Sequence, residues 1–147
     1  MPTIQVHELL QAPIEKVWNL VCDVEAYPQR MEPVRGIEVL ESGPNHKVAA
    51  WEVELKGSIL KWVEREEQDP GNHRLTYRQV EGDLERFDGY WQLRSRGPEV
   101  TEAVLVVNFE IGIPMLKDML EPVAERAIRD NSSRMLLSLA PRVEDAG

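Results

Sequence analysis

Apolar residues recur along this chain with two spacings, and the order of the two predicts the architecture. Through the middle of the chain the spacing is two. Ala49, Trp51, Val53 and Leu55 fall on one side of the segment Lys47–Leu55, with Glu52 and Glu54 on the other. In Thr101–Ile111 the residues Ala103, Leu105, Val107, Phe109 and Ile111 repeat the pattern. Such alternation belongs to strands with one buried and one wet face. Further strands are expected at Thr3–Leu10, Ile37–Leu40, Ile59–Gln68, Arg74–Val80 and Arg86–Arg94. Turn residues separate them: Ser42-Gly43-Pro44-Asn45, Lys56-Gly57-Ser58, Asp69-Pro70-Gly71-Asn72, Glu81-Gly82-Asp83 and Arg96-Gly97-Pro98. Short strands joined this way imply an antiparallel meander.

Toward both ends the spacing becomes helical. Ile14, Val17, Trp18 and Val21 recur at i, i+3, i+4 and i+7 behind Pro13, a residue suited to a first helical position. Asp23–Pro28 reads as a short second helical turn that Pro28 interrupts. A long helical pattern runs from Pro114 to about Val143. Pro122 is expected to break it, because proline lacks the donor and clashes with the preceding turn. That leaves a first piece over Pro114–Leu120 and a main helix from Pro122, with Ala124, Ala127, Ile128, Asn131, Met135 and Leu139 on one face. Strand, helix, many strands, long helix: this order predicts an α+β fold. A curved antiparallel sheet of six or seven strands would wrap around the C-terminal helix and leave a cavity between them.

Composition narrows the partners. The chain has 147 residues, which suits one domain over 1–147. A net charge of -9 disfavours nucleic acid and anionic lipid surfaces alike. The single Cys22 excludes an internal disulfide and fits a reducing compartment. No apolar run approaches the roughly 18–20 residues that span a bilayer, and Met1-Pro2-Thr3-Ile4 lacks a signal-peptide pattern. The expectation is a cytoplasmic protein, monomer or dimer, without nucleic-acid partner or stable membrane insertion.

The candidate chemistry is sparse. There is no G-x-S-x-G elbow, Walker A loop or G-x-G-x-x-G. His7, His46 and His73 are far apart and read as surface residues, so neither a metal nor another cofactor is expected. Cys22 reads as a buried, inert thiol. Trp51, Trp62, Tyr77, Trp91, Phe109, Met115 and Met119 are candidate pocket lining: aromatics give flat contact, and methionine adapts to irregular shapes. The same residues could fill a solid core, and only a remaining void separates the two readings. Asn131 stands in the apolar stripe, either at the helix edge or as a donor facing the cavity. Glu64 and Glu66 share a side with Trp62. Inside a pocket their pKa values would rise, suiting them to acid–base work or to holding a ligand carbonyl. Acidic residues are seldom fully buried, so both are expected at a solvated mouth where the strand twists. Gly89 would admit a ligand, the helix or a bulge.

The segment Trp18-Asn19-Leu20-Val21-Cys22-Asp23-Val24-Glu25-Ala26-Tyr27-Pro28, the strand Glu38-Val39-Leu40-Glu41 and the strand Gly89-Tyr90-Trp91 stand in an order that resembles the polyketide cyclase/dehydrase and coenzyme Q-binding group of the START/Bet v 1-like superfamily. The resemblance implies a helix-grip fold with a hydrophobic pocket between sheet and C-terminal helix. Members bind lipids, quinones, sterols or aromatic polyketides, and some are enzymes. The implied role is binding of a hydrophobic small molecule such as a quinone, an isoprenoid lipid or an aromatic metabolite. Gly112-Ile113-Pro114 and Met115–Leu120 would then form a lid hinged at Pro122. The alternative is a polyketide aromatase/cyclase or dehydratase relaying protons through Glu66, Tyr77 or Asn131. Cyclases of the group carry an arginine where this chain has Glu66, and Arg65 has the opposite parity. That departure weighs against enolate-forming chemistry, which needs a cation or donors near developing negative charge.

Overall fold

The meander expected from the alternation is present in the computed structural model. It describes residues 3–31, 34–55, 58–82, 84–110 and 114–143, apart from the side chains of residues 55, 58 and 114–121. The strands are β1 (Thr3–Leu10), β2 (Val34–Ser42), β3 (His46–Leu55), β4 (Ser58–Asp69), β5 (Arg74–Gly82), β6 (Arg86–Gly97) and β7 (Val100–Glu110). The helices are α1 (Ile14–Cys22), α2 (Tyr27–Arg30) and α3 (Pro114–Leu139). Strand order in the sheet is β1-β7-β6-β5-β4-β3-β2, with every described pairing antiparallel. This is the seven-stranded helix-grip arrangement. Among the described residues no helix is long and apolar enough to cross a membrane.

Curvature brings distant strands to the same helix. The α3 residue Arg129 donates to the Gln5 carbonyl on β1 at 3.3 Å, and Asn131 donates to the Glu54 carbonyl on β3 at 3.2 Å. Four strands lie between β1 and β3 in the sheet order, so the sheet must bend around the helix to reach it twice. One bend is explicit in the register. Val63 faces Glu81 and Glu64 faces Gln79, so Val80 is the extra residue of a bulge beside Glu64. The helix packs mainly against β1, which leaves the inner faces of β3 to β6 less fully covered.

The helical ends depart from expectation in three places. Pro28 does not interrupt a helix; it sits in the first turn of α2, where a missing N–H removes no helical bond. Pro122 does not break α3, which is continuous from Pro114 to Leu139. Most helical stability in proteins comes from packing an apolar face, so one lost ladder bond is tolerated. The helix also ends at Leu139 rather than near Val143, because Pro141 biases the residue before it away from helical backbone. The following tail runs back along β1, with Val143 donating to the Leu9 carbonyl at 2.8 Å. Of the segment expected to form a lid, Gly112, Ile113 and the side chains of Met115–Leu120 lie outside the described residues, Met115 and Met119 among them, while its backbone from Pro114 is the first part of α3.

Gly89 has a specific steric cause. It stands between Tyr77 on β5 and Val107 on β7 in the register. Tyr77 crosses over it, and its hydroxyl donates to the Val106 carbonyl at 2.8 Å. A Cβ at Gly89 would lie 1.8 Å from that carbonyl oxygen and 2.7 Å from the Tyr77 hydroxyl. Gly36 has nothing within 4 Å of the same position. Gly89→Ala is therefore expected to destabilise the fold by about 3 kcal/mol, within the range of backbone and overpacking effects, whereas Gly36→Ala should change it by under about 0.5 kcal/mol. Chemical denaturation of both variants checks this; equal midpoints would remove the steric account.

Candidate cavity and carboxyl pair

The pleat of β4 sends Trp62, Glu64 and Glu66 to one face, and that face is the inner one. All three are buried, with Glu64 at 4% and Glu66 at 1% exposure. The expectation of a solvated mouth is thus corrected: α3 and the aromatic side chains around them exclude water from both carboxyls. Arg65, of opposite parity, points outward and lies within ion-pair distance of Glu41 and Glu67.

Aromatic rings surround the pair. Trp51 and Trp62 are cross-strand partners, stacked with centroids 5.8 Å apart and planes 10° apart. Phe87 leans on Trp62 at 4.9 Å, and Tyr77 on Phe87 at 5.9 Å. Tyr27 meets Trp51 edge-on at 5.7 Å, and its hydroxyl donates to the Val21 carbonyl. Between this wall and α3 a cavity remains, measuring about 70 Å3 as the volume open to the centres of water-sized spheres. A single water needs roughly 15 Å3 on that measure. The wall is overwhelmingly apolar; Ile128, Asn131, Ser132 and Met135 close it from α3.

Most expected site residues are brought together. Trp51, Trp62, Glu66, Tyr77, Trp91 and Asn131 all line the cavity. Phe109 does not: it is fully buried on β7, the strand beside β1, where α3 makes its main contact. Tyr77 offers its ring rather than a free proton, since its hydroxyl is held by the Val106 carbonyl. Burial, reinforced by Glu64, also raises its pKa well above that of an ordinary phenol. Asn131 uses one amide hydrogen to dock α3 on β3. Sequence reasoning missed Tyr27, Phe87 and Ser132 as lining. Parity with Trp91 could have found Phe87, and i+4 spacing from Ile128 could have found Ser132.

The polar chemistry centres on β4. The Trp62 indole donates to Glu64 Oε1 at 2.9 Å. The Glu64 and Glu66 carboxyls, two residues apart on the same buried face, cannot both carry charge there cheaply, so at least one keeps its proton near neutral pH. Burial, then the charge of Glu66, holds the Glu64 pKa well above the carboxylate range. Burial pushes Glu66 up to about 7, against the opposing hydrogen bond from Glu64 and the charge of Lys47. Both carboxyls thus hold their protons to higher pH than ordinary glutamates, and the pair gives up its first proton near neutrality. Two buried polar atoms of the wall, Glu66 Oε2 and Trp51 Nε1, have no hydrogen-bond partner among the described residues. Cys22 is half-buried rather than buried as expected, and its thiol is raised to about 12, first by burial and then by Glu66, which favours the protonated form. His73 is less a free surface residue than expected, its ring set edge-on to Trp18 at 5.7 Å and 2.7 Å from Glu15 Oε1.

A carboxyl whose folded pKa exceeds its unfolded value favours folding while protonated. That contribution is full below the unfolded pKa and is lost as pH rises through the folded one. For Glu66 the window runs from 4.5 to about 7. Glu66→Gln should therefore gain stability relative to the parent by about 3 kcal/mol between pH 4.5 and 8. Urea titrations of both proteins across that range measure it; a pH-independent difference would show that Glu66 titrates normally.

Comparison with known proteins places the chain. The family described as polyketide cyclase/dehydrase and lipid transport matches residues 10–136. The actinorhodin polyketide synthase bifunctional cyclase/dehydratase of Streptomyces coelicolor is 33% identical over 124 residues, covering 79% of this chain. The chain spans only 39% of that relative's length. The ribosome association toxin RatA of Escherichia coli is 24% identical over 145 residues, covering 99% of this chain and 89% of the toxin. Among solved structures, the Zhui aromatase/cyclase of Streptomyces sp. R1128 superposes with a TM-score of 0.82 at 26% identity, covering 99% of this chain and 98% of that one. With a START/Bet v 1-like helix-grip fold and a family match along most of its length, this chain belongs to the polyketide cyclase/dehydrase and lipid transport family.

Proposed function

We propose that this chain binds a flat, largely apolar small molecule between the sheet and α3. The observation that carries this reading is the unpartnered, buried Glu66 Oε2 in an aromatic wall. A buried polar atom without a partner costs about 1–3 kcal/mol, and a ligand group that reaches it removes that penalty. The stacked Trp51–Trp62 pair offers flat surface to a ring. Apolar burial at roughly 25 cal/mol per Å2 supplies most of the affinity, and the polar atoms set orientation.

A second reading is favoured by the proton that the Glu64 and Glu66 pair keeps and by the cyclase/dehydratase relative. In this reading the pair dehydrates a β-hydroxy ketone. The Glu66 carboxylate takes a proton from the carbon beside the carbonyl, and Glu64 gives its proton to the departing hydroxyl. The C–H and C–O bonds break, a C=C bond forms and water leaves. The pair ends with one proton, as it began. The absence of a cation on the described wall disfavours an accumulating enolate, so concerted proton movement suits this site better than ring closure.

Both readings meet in one set of measurements. Menadione titrated into the protein is expected to quench tryptophan fluorescence saturably, and Ile128→Phe, which fills the cavity, should weaken binding by about tenfold or more. Linear quenching identical in the variant would sink the binding reading. A β-hydroxy ketone turned over to an enone, with the rate cut about 100-fold in Glu66→Gln, would establish the second. Menadione binding without enone formation leaves the first alone.

A further inference from the structure

The cavity wall carries two polar atoms of different character without partners among the described residues: the Trp51 indole N–H and Glu66 Oε2. Both side chains are more than nine-tenths buried. An indole N–H can only donate. Glu66 Oε2 belongs to a pair that keeps a proton through neutral pH. Three other polar side chains of the wall have partners. The Tyr77 hydroxyl is on the Val106 carbonyl, the Tyr27 hydroxyl on the Val21 carbonyl, and Asn131 on the Glu54 carbonyl. Lys47 stands opposite Glu66 in the register, yet its Nζ turns to the Cys22 carbonyl at 3.3 Å and it does not line the cavity. No arginine, lysine or histidine lies among the described lining residues.

We propose that Trp51 and Glu66 are the specificity-determining residues of this cavity. Trp51 Nε1–H selects a ligand carbonyl, Glu66 Oε2 selects a ligand hydroxyl, and the carboxyl pair turns away ligands that carry a carboxylate. The proposal rests on the binding reading above and narrows its ligand to uncharged, oxygen-bearing rings. Its electrostatics are simple. A singly protonated pair carries one negative charge in a low-dielectric wall, where like charges repel far more strongly than in water. A carboxylate would also lose its hydration without gaining a cation. A neutral carbonyl or hydroxyl gives up less and pairs a buried atom that water does not reach.

One ring system with four substituents tests this by calorimetry at pH 8, above the Glu66 pKa of about 7 so that the pair is charged: 2-methylnaphthalene, 2-acetylnaphthalene, 2-naphthol and 2-naphthoate. The acetyl and hydroxyl compounds are expected to bind about tenfold tighter than the methyl compound, the gain from pairing a buried polar atom. The naphthoate should bind at least about 100-fold weaker than the naphthol. Trp51→Phe keeps a ring in place and should erase the acetyl advantage while sparing that of the hydroxyl. Glu66→Gln keeps the shape and should narrow the discrimination against naphthoate by about tenfold or more. If all four bind the parent within threefold of one another, the binding reading stands and the selectivity proposal falls. If none binds, both fall. A parent profile as expected that neither substitution alters would overturn the assignment to Trp51 and Glu66.

Discussion

Two carboxyl groups two residues apart on one strand face must go to the same side of a sheet. In β4 that side is the dry one, and the remaining features of the site follow from it. Glu64 and Glu66 cannot both ionise cheaply there, so their pKa values rise and the pair keeps a proton through neutral pH. Trp62, next on the same face, satisfies one carboxyl oxygen with its indole N–H. Glu66, which lines the cavity, keeps a buried oxygen that no described residue satisfies. Well-packed apolar residues of similar volume would often be as stable or more so. The pair is therefore a poor device for holding the fold together and a good one for meeting a polar ligand group.

The scaffold keeps that pair in a cavity rather than in a filled core. The bulge at Val80 bends the sheet beside Glu64. Tyr77 lies flat across Gly89 because its hydroxyl is held by the Val106 carbonyl, so the ring lines the wall and does not plug the space. Trp51 and Trp62 stack on each other along the same wall. The helix is fixed on both sides, at Gln5 and at Glu54, and spans the gap instead of sinking into it.

Local pattern made much of this legible. Period-two alternation placed all seven strands, with ends extended by a few residues in β2 and β6. Parity alone put Trp51 on the inner face of its strand, and Trp62, Glu64 and Glu66 together on theirs. What parity could not tell was whether that face was wet, because burial of the carboxyls depends on α3 and Tyr27, which arrive from far along the chain. The Tyr77–Val106 bond spans β6 and so leaves no trace in neighbouring residues. The role of Gly89 was hidden for the same reason. Pro122 misled because a local rule about proline was applied where tertiary packing decides. Phe109 misled because alternation marks an inner face without saying which part of it the helix covers.

Family membership does not settle the activity, since this chain is similar to differently named proteins, a cyclase/dehydratase and a ribosome association toxin among them. The site has to carry the argument, and its core is the protonation state of one pair. Carboxyl-selective 13C NMR of glutamate-labelled protein, assigned with Glu64→Gln and Glu66→Gln, reads that state directly across a pH titration. One signal should stay protonated through neutral pH and a second should titrate near 7. Two signals that both titrate near the ordinary 4.5 would refute the retained proton and, with it, the chemistry assigned to the cavity.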